Sequence, residues 1–176
     1  MTKLLGISGS LRKESTNTLL IRNAAEIFGA DEFTLADINL PLYNGDLEEA
    51  EGVPASVQKL SDQIAAADAV IISTPEYNKA ISGSLKNALD WVSRTKGGPW
   101  NGKPVAIMSA AAGRAGGERA QFSLRLAMMA FRPDILQGPE VLLANSSNEF
   151  DENGKLTGER YIAVLTELME ALKARI

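Results

Sequence analysis

Ala69-Val70-Ile71-Ile72-Ser73-Thr74-Pro75-Glu76-Tyr77-Asn78 is the stretch on which the fold turns. Its first four residues are apolar without a break, where a strand with one wet face would alternate. A short run of this kind suits a strand covered on both faces, as in a parallel sheet layered between helices. Pro75 fixes one backbone dihedral and stiffens the exit from the run. Upstream, Val57, Leu60, Ile64 and Ala67 recur at the helical period; downstream, Leu85, Leu89 and Val92 do the same. Helix, buried strand, helix is the unit of an α/β sheet.

The same alternation extends in both directions. It predicts strands at Lys3–Ser8, Phe33–Ile38, Ala69–Thr74, Pro104–Ser109 and Ile135–Leu143. Helices fall near Thr16–Phe28, Pro54–Ala67, Ser84–Arg94, Gly117–Phe131 and Thr157–Arg175, with Gly29 as a C-cap of the first. Five βα units with right-handed crossovers make a doubly wound five-stranded parallel sheet of order 2-1-3-4-5, with helices on both faces and one domain over residues 1–176. Asn44–Pro54, acidic and turn-rich, reads as a mobile solvated loop, or alternatively as a lid. Asn153-Gly154 reads as the turn of a short hairpin before the last helix.

Composition removes whole classes of chemistry. The chain has no cysteine and no histidine. That excludes disulfides, thiolate nucleophiles, iron–sulfur clusters, Cys- or His-based metal sites and every Ser-His-Asp triad. A bound cofactor can supply reactivity that side chains of this set do not. A net charge of −4 argues against nucleic acid and against an anionic membrane surface. No stretch approaches the roughly 18 apolar residues of a spanning helix. Met1–Ser10 is too short an apolar run for a signal peptide, so a cytoplasmic setting is expected.

Ligands of open α/β sheets bind beyond the carboxyl ends of the strands, where the strand order reverses. Three loops with unusual chemistry follow strands 1, 3 and 4, which are neighbours in the expected order. The first, Gly9-Ser10-Leu11-Arg12-Lys13-Glu14-Ser15-Thr16-Asn17, opens a helix and is dense in hydroxyls. Helix N-termini favour anions, and Ser10, Ser15, Thr16 and Asn17 add donors to the guanidinium of Arg12. Ordinary capping by Ser15 or Asn17 is the competing reading. Neither GxxxxGK[ST] nor GxGxxG is present, so a monophosphate fits better than a dinucleotide or a nucleoside triphosphate. The second loop, Thr74 to Gly83, offers a rigid Pro75 and a flat Tyr77 to a planar heterocycle, or is a plain turn with Tyr77 packed down. The third, Ser109-Ala110-Ala111-Ala112-Gly113-Arg114-Ala115-Gly116-Gly117, is small enough for close backbone approach to a ligand, or is only a connection.

Taken together, these residues resemble the NAD(P)H-dependent FMN reductase family, which has quinone, chromate and azo-dye reductases among its members. The resemblance is carried by Gly9-Ser10-Leu11-Arg12 with Ser15 and Asn17, and by Pro75-Glu76-Tyr77-Asn78 followed by Gly83, Leu85-Lys86-Asn87-Ala88 and Asp90-Trp91. It implies a flavodoxin-like fold. It also implies an FMN phosphate at Ser10, Arg12, Ser15, Thr16 and Asn17, and an isoalloxazine ring bordered by Pro75, Glu76, Tyr77 and Asn78, with Ser109, Ala110 and Gly113 on the other side. NADPH or NADH would be the co-substrate. The small-molecule acceptor would be a quinone, an azo dye, a metal oxyanion such as chromate, or free flavin. Ser82 stands where relatives often carry Pro. No side chain is nominated as general acid or base, and no metal is expected.

A flavodoxin-type one-electron carrier is the alternative, although such carriers are more acidic. Phe122, Leu126 and Met129 form one stripe of the fourth helix, with Leu124, Ala127, Met128 and Phe131 opposite; Trp91 falls off the Leu85–Leu89–Val92 stripe. A helix apolar on two sides points to a homodimer or homotetramer.

Overall fold

The computed structural model describes residues 1–176. In chain order the elements are β1 (Lys3–Ser8), α1 (Thr16–Phe28), β2 (Glu32–Leu35), α2 (Gly45–Glu51), α3 (Ala55–Ala66), β3 (Ala69–Thr74), α4 (Gly83–Val92), β4 (Pro104–Ala110), α5 (Glu118–Met128), β5 (Asp134–Ile135), β6 (Val141–Leu143) and α6 (Glu159–Lys173). The strands run parallel in the order β2-β1-β3-β4-β5, with β6 also on β4. This is the flavodoxin-like, doubly wound arrangement that the sequence implies.

The pleat sorts the core into two halves. Leu4, Ala69, Ile71, Ala106 and Met108 point to one face, where Leu20, Ile21, Ala24 and Phe28 of α1 and Leu165, Leu168 and Leu172 of α6 cover them. Leu5, Ile7, Val70, Ile72, Val105 and Ile107 point to the other, under α3, α4 and α5. Residues of one strand therefore serve both halves, which is why the run at Ala69 shows no alternation. α1 begins with Ser15 as its N-cap and ends at Gly29 in the left-handed region, φ 66°.

Three expectations need correction. The last strand is not continuous from Ile135 to Leu143. β5 pairs with Pro104 and Val105, β6 pairs with Met108 to Ala110, and Gly138-Pro139 lies in the gap. Proline has no N–H for the ladder, so pairing with β4 lapses and resumes. Asn44–Pro54 is not a structureless loop. It holds α2, capped by the Asn44 side chain on the Asp46 N–H, with Asp46 and Glu48 in the first turn where the helix dipole favours acids. Trp91 is not at a surface. It is fully buried, its indole N–H donates to the Pro41 carbonyl at 2.7 Å, and Tyr43 meets its ring edge-on at 4.9 Å. The Asn153-Gly154 turn is present, closing a Phe150–Leu156 bridge. No helix is long and apolar enough to cross a membrane.

Candidate functional site

A cleft of about 490 Å³ opens beyond the carboxyl ends of β1, β3, β4 and β6, within the range of cofactor and small-molecule sites. Ser10, Arg12, Glu14, Ser15, Thr16 and Asn17 line one end. Pro75, Glu76 and Tyr77 form one wall, Ala110, Ala111 and Ala112 another, and Ser146 and Ser147 close the side next to Thr16.

The end formed by α1 is rich in uncommitted donors. The Thr16 and Asn17 backbone N–H groups, in the first turn, have no acceptor in the protein. Ser15 accepts from the Thr18 N–H at 3.4 Å, and Ser10 accepts from the Arg12 N–H at 3.3 Å. Each hydroxyl therefore keeps its own hydrogen for another acceptor. Capping by Ser15 and anion binding are compatible, since the cap uses a lone pair and an anion would use the proton. Arg12 is exposed and has no acidic partner. Glu14 is the one carboxylate at this end without a contact inside the fold.

A sequence profile of the NADPH-dependent FMN reductase family matches residues 2–148. The chain belongs to that family. An NAD(P)H-dependent FMN reductase of Pseudomonas aeruginosa is 42% identical over 97% of this chain and 93% of its own length. A quinone reductase of Escherichia coli K12 is 39% identical over 89% and 84%. FerB of Paracoccus denitrificans, a flavoenzyme NAD(P)H:acceptor oxidoreductase, superposes with a TM-score of 0.88 at 33% identity, covering 99% of this chain and 96% of that one. The enzyme is accordingly an FMN-dependent NAD(P)H oxidoreductase of the FMN and quinone reductase type.

Within this reductase, nine of the twelve residues expected at the site line the cleft: Ser10, Arg12, Ser15, Thr16, Asn17, Pro75, Glu76, Tyr77 and Ala110. Two of the nine have a structural duty that sequence reading did not assign. The Asn17 amide is buried and spent: Nδ2 donates to Ala110 O at 2.9 Å, while Oδ1 accepts from the Ala110 N–H at 3.0 Å and from Ser73 Oγ at 2.7 Å. It pins α1 to β3 and β4, so its contribution to an anion is its backbone N–H. Glu76 accepts from the Arg119 and Ala120 N–H groups at 3.0 and 3.3 Å. It caps α5 from a distance, because Gly117 at that helix's N-cap has no side chain to do so.

The other three lie off the cleft. Asn78 and Lys79, at φ 50° and 68°, form the tip of a two-residue hairpin closed by Tyr77 and Ala80. Ser109 is buried beneath the loop, donating to Gly116 O at 2.6 Å and accepting from Gln121 Nε2 at 2.9 Å. Gly113 is exposed at the loop tip. Ala111 and Ala112 stand in the cleft instead. Ser146 and Ser147 were missed. Ser146 reaches the site through β6, bonding the Ala111 carbonyl with its N–H and sharing a hydrogen with Thr16 Oγ1 at 3.0 Å. Ser146-Ser147-Asn148 repeats the small hydroxyl chemistry of the first loop, and that was the available signal. Ser82 N-caps α4 and donates to the Gly9 carbonyl, locking the first loop against that helix.

Proposed function

We propose that the cleft holds FMN with its phosphate at Ser10, Arg12, Ser15, Thr16 and Asn17. Its ring would lie between Pro75-Glu76-Tyr77 on one side and Ala110-Ala111-Ala112 on the other. Donors left uncommitted by the fold converge at one end of an otherwise small-residue cleft, and this observation carries the assignment. When bound, the flavin supplies hydride acceptance from NAD(P)H and onward donation. The protein's share is orientation and polarity. The backbone N–H groups of Glu76 and Ala112 line the cleft without a partner, and are suited to stabilise negative charge on a reduced ring. Tyr77 N–H is committed to its own hairpin and is not available for this.

A quinone is the preferred acceptor, in keeping with the quinone reductases that this chain resembles. Azo dyes, chromate and free flavin stand behind it. The same exchange of small molecules with a cytoplasmic nicotinamide pool separates this reading from a one-electron carrier. Phe122, Leu126 and Met129 are 57, 71 and 70% exposed on α5, which supports a homodimer or homotetramer joined on that face. Titration of the flavin-free protein with FMN, followed by steady-state NAD(P)H oxidation with benzoquinone, tests the main reading. Saturable binding and sustained turnover are expected. A protein that takes up no FMN, or that takes it up and never turns over, overturns it.

A further inference from the structure

The hydroxyl end of the cleft is completed from outside the loop after β1. Ser146 lines the cleft together with Thr16, yet it is only 4% exposed. The backbone fixes where it stands. Ala111 N–H donates to Leu143 O at 3.0 Å, which holds the end of β6 against the loop after β4. Asn145, at φ 49°, then turns the chain, and the Ser146 N–H returns to the Ala111 carbonyl at 3.1 Å. The side chain is left against the first turn of α1, with Oγ 3.0 Å from Thr16 Oγ1.

The direction of that bond follows from burial. Each hydroxyl has one hydrogen to give and lone pairs to accept with. Thr16 is the only partner of Ser146 Oγ within the fold. If Thr16 were the donor, the Ser146 hydrogen would be buried with nothing to accept it. That penalty exceeds the net gain of a neutral hydrogen bond. Ser146 is therefore the donor and Thr16 the acceptor. Thr16, partly exposed, is the first residue of α1 and has no carbonyl of an earlier helical turn to take its hydrogen. Thr166, inside α6, shows the contrast: its hydroxyl donates to Ile162 O at 2.8 Å. The Thr16 hydrogen stays free, on the more open of the two hydroxyls.

We infer that Ser146 is a positioning residue for the cofactor: it donates to Thr16 Oγ1 and so aims the Thr16 hydroxyl hydrogen at the FMN phosphate. The inference rests on the phosphate assignment proposed above. The two hydroxyls act in series, Ser146 to Thr16 to a phosphate oxygen, and each bond polarises the next. Because the fold holds the pair before a ligand arrives, little ordering cost falls on binding. A serine 130 residues away in sequence thus joins the donor set of the first loop.

Riboflavin, which shares the ring and ribityl chain of FMN and lacks the phosphate, separates this role from a structural one. Both flavins are titrated by fluorescence into the full chain freed of flavin, as wild type, S146A, T16V and the double variant. Valine keeps the shape of threonine and removes the hydroxyl. T16V is expected to lower the preference for FMN over riboflavin roughly tenfold or more, as befits a bond to a charged group; S146A should lower it roughly three- to tenfold. The double variant should be no worse than T16V, since Ser146 has nothing to aim once the Thr16 hydroxyl is gone. Equal weakening of both flavins in S146A would make Ser146 a support of the cleft wall. Additive losses in the double variant would make it an independent contact. An unchanged preference in S146A or in T16V would remove the relay. Each of these results overturns the inference. Failure of the phosphate assignment shows separately, as a wild type that binds FMN no better than riboflavin, or whose preference is indifferent to R12A.

Discussion

The loop after β1 and the loop after β4 face each other across the cleft and are built on opposite plans. The first keeps its chemistry outward: Ser10 and Ser15 retain their hydroxyl hydrogens, Arg12 has no internal partner, and the α1 N–H groups point free. The second turns its polar side chains inward, with Ser109 and Gln121 buried and bonded beneath it, and presents alanines and backbone to the cleft. One loop would bind by side chains and a helix end. The other would bind by shape and main chain. Substitutions should therefore separate affinity from stability along this divide.

The largest effect is expected where the second loop allows no side chain. A Cβ on Gly116 would lie 2.5 Å from the Leu142 carbonyl carbon, and its φ is +60°. Gly116→Val combines left-handed strain with a backbone clash and should cost about 2–4 kcal/mol in chemical denaturation, with the Ala110–Ala112 wall displaced and FMN affinity lost as well. Wild-type stability in this variant would mean that the loop is free to move away, and the contrast with the first loop would fail.

Arg12→Ala comes next and should do the reverse. FMN binding weakens by roughly 10- to 100-fold in a fluorescence titration, more at low salt than at high, while the denaturation midpoint stays put. An unchanged Kd removes the phosphate from this end of the cleft. Ser109→Ala is smaller and has the opposite signature. Removing the hydroxyl strips Gly116 O of its donor and Gln121 of one acceptor, in a place where Gln121 Oε1 already lacks a partner. A loss of about 1–2 kcal/mol of stability, with FMN affinity within a factor of a few, is the expected result.

The same divide explains what could be read from the chain. β1, β3 and α1 are found at the bounds expected, because hydrophobic period, Pro75 and the Ser15 cap are local signals. The hydroxyls and guanidinium that the first loop turns to the cleft were legible for the same reason. Ser109 was not, since nothing local distinguishes a serine that faces a cleft from one that faces Gly116. Ser146 depends on β6 returning to β4 after the Gly138-Pro139 interruption, a long-range pairing without a signal in its own neighbourhood. Asn17 looked like a phosphate donor because its amide partners, Ser73 and Ala110, lie 56 and 93 residues away in sequence. Trp91 broke the stripe of α4 for a similar reason: its cover is the segment around Pro41 and Tyr43, which only tertiary structure delivers.

That segment supplies the smallest and most local test, away from both loops. Glu48 of α2 accepts from Arg94 Nε at 2.9 Å and from the Tyr43 hydroxyl at 3.0 Å, tying the strap over Trp91 to the end of α4. The Arg94 hydrogen bond, with a smaller contribution from Tyr43, holds the Glu48 carboxyl below its ordinary range. The folded strap therefore binds a proton less readily than the unfolded one. Its stabilisation is complete above the usual carboxylate pKa and drains away as pH falls through the lowered value. Tyr43 works in the opposite direction: its bond to Glu48, followed by burial, raises the phenol, so its contribution holds below the usual tyrosine range and is lost in stronger alkali. Trp91 emission, recorded in a Trp100→Phe background, should shift at both extremes and stay level between them, with helical content unchanged. Glu48→Gln should abolish the acid shift while leaving the FMN titration as it was. If the wild type shows no acid shift, the strap is held by the Asn87 and Trp91 bonds to Pro41 and Tyr43, and the ion pair on its surface contributes nothing to it.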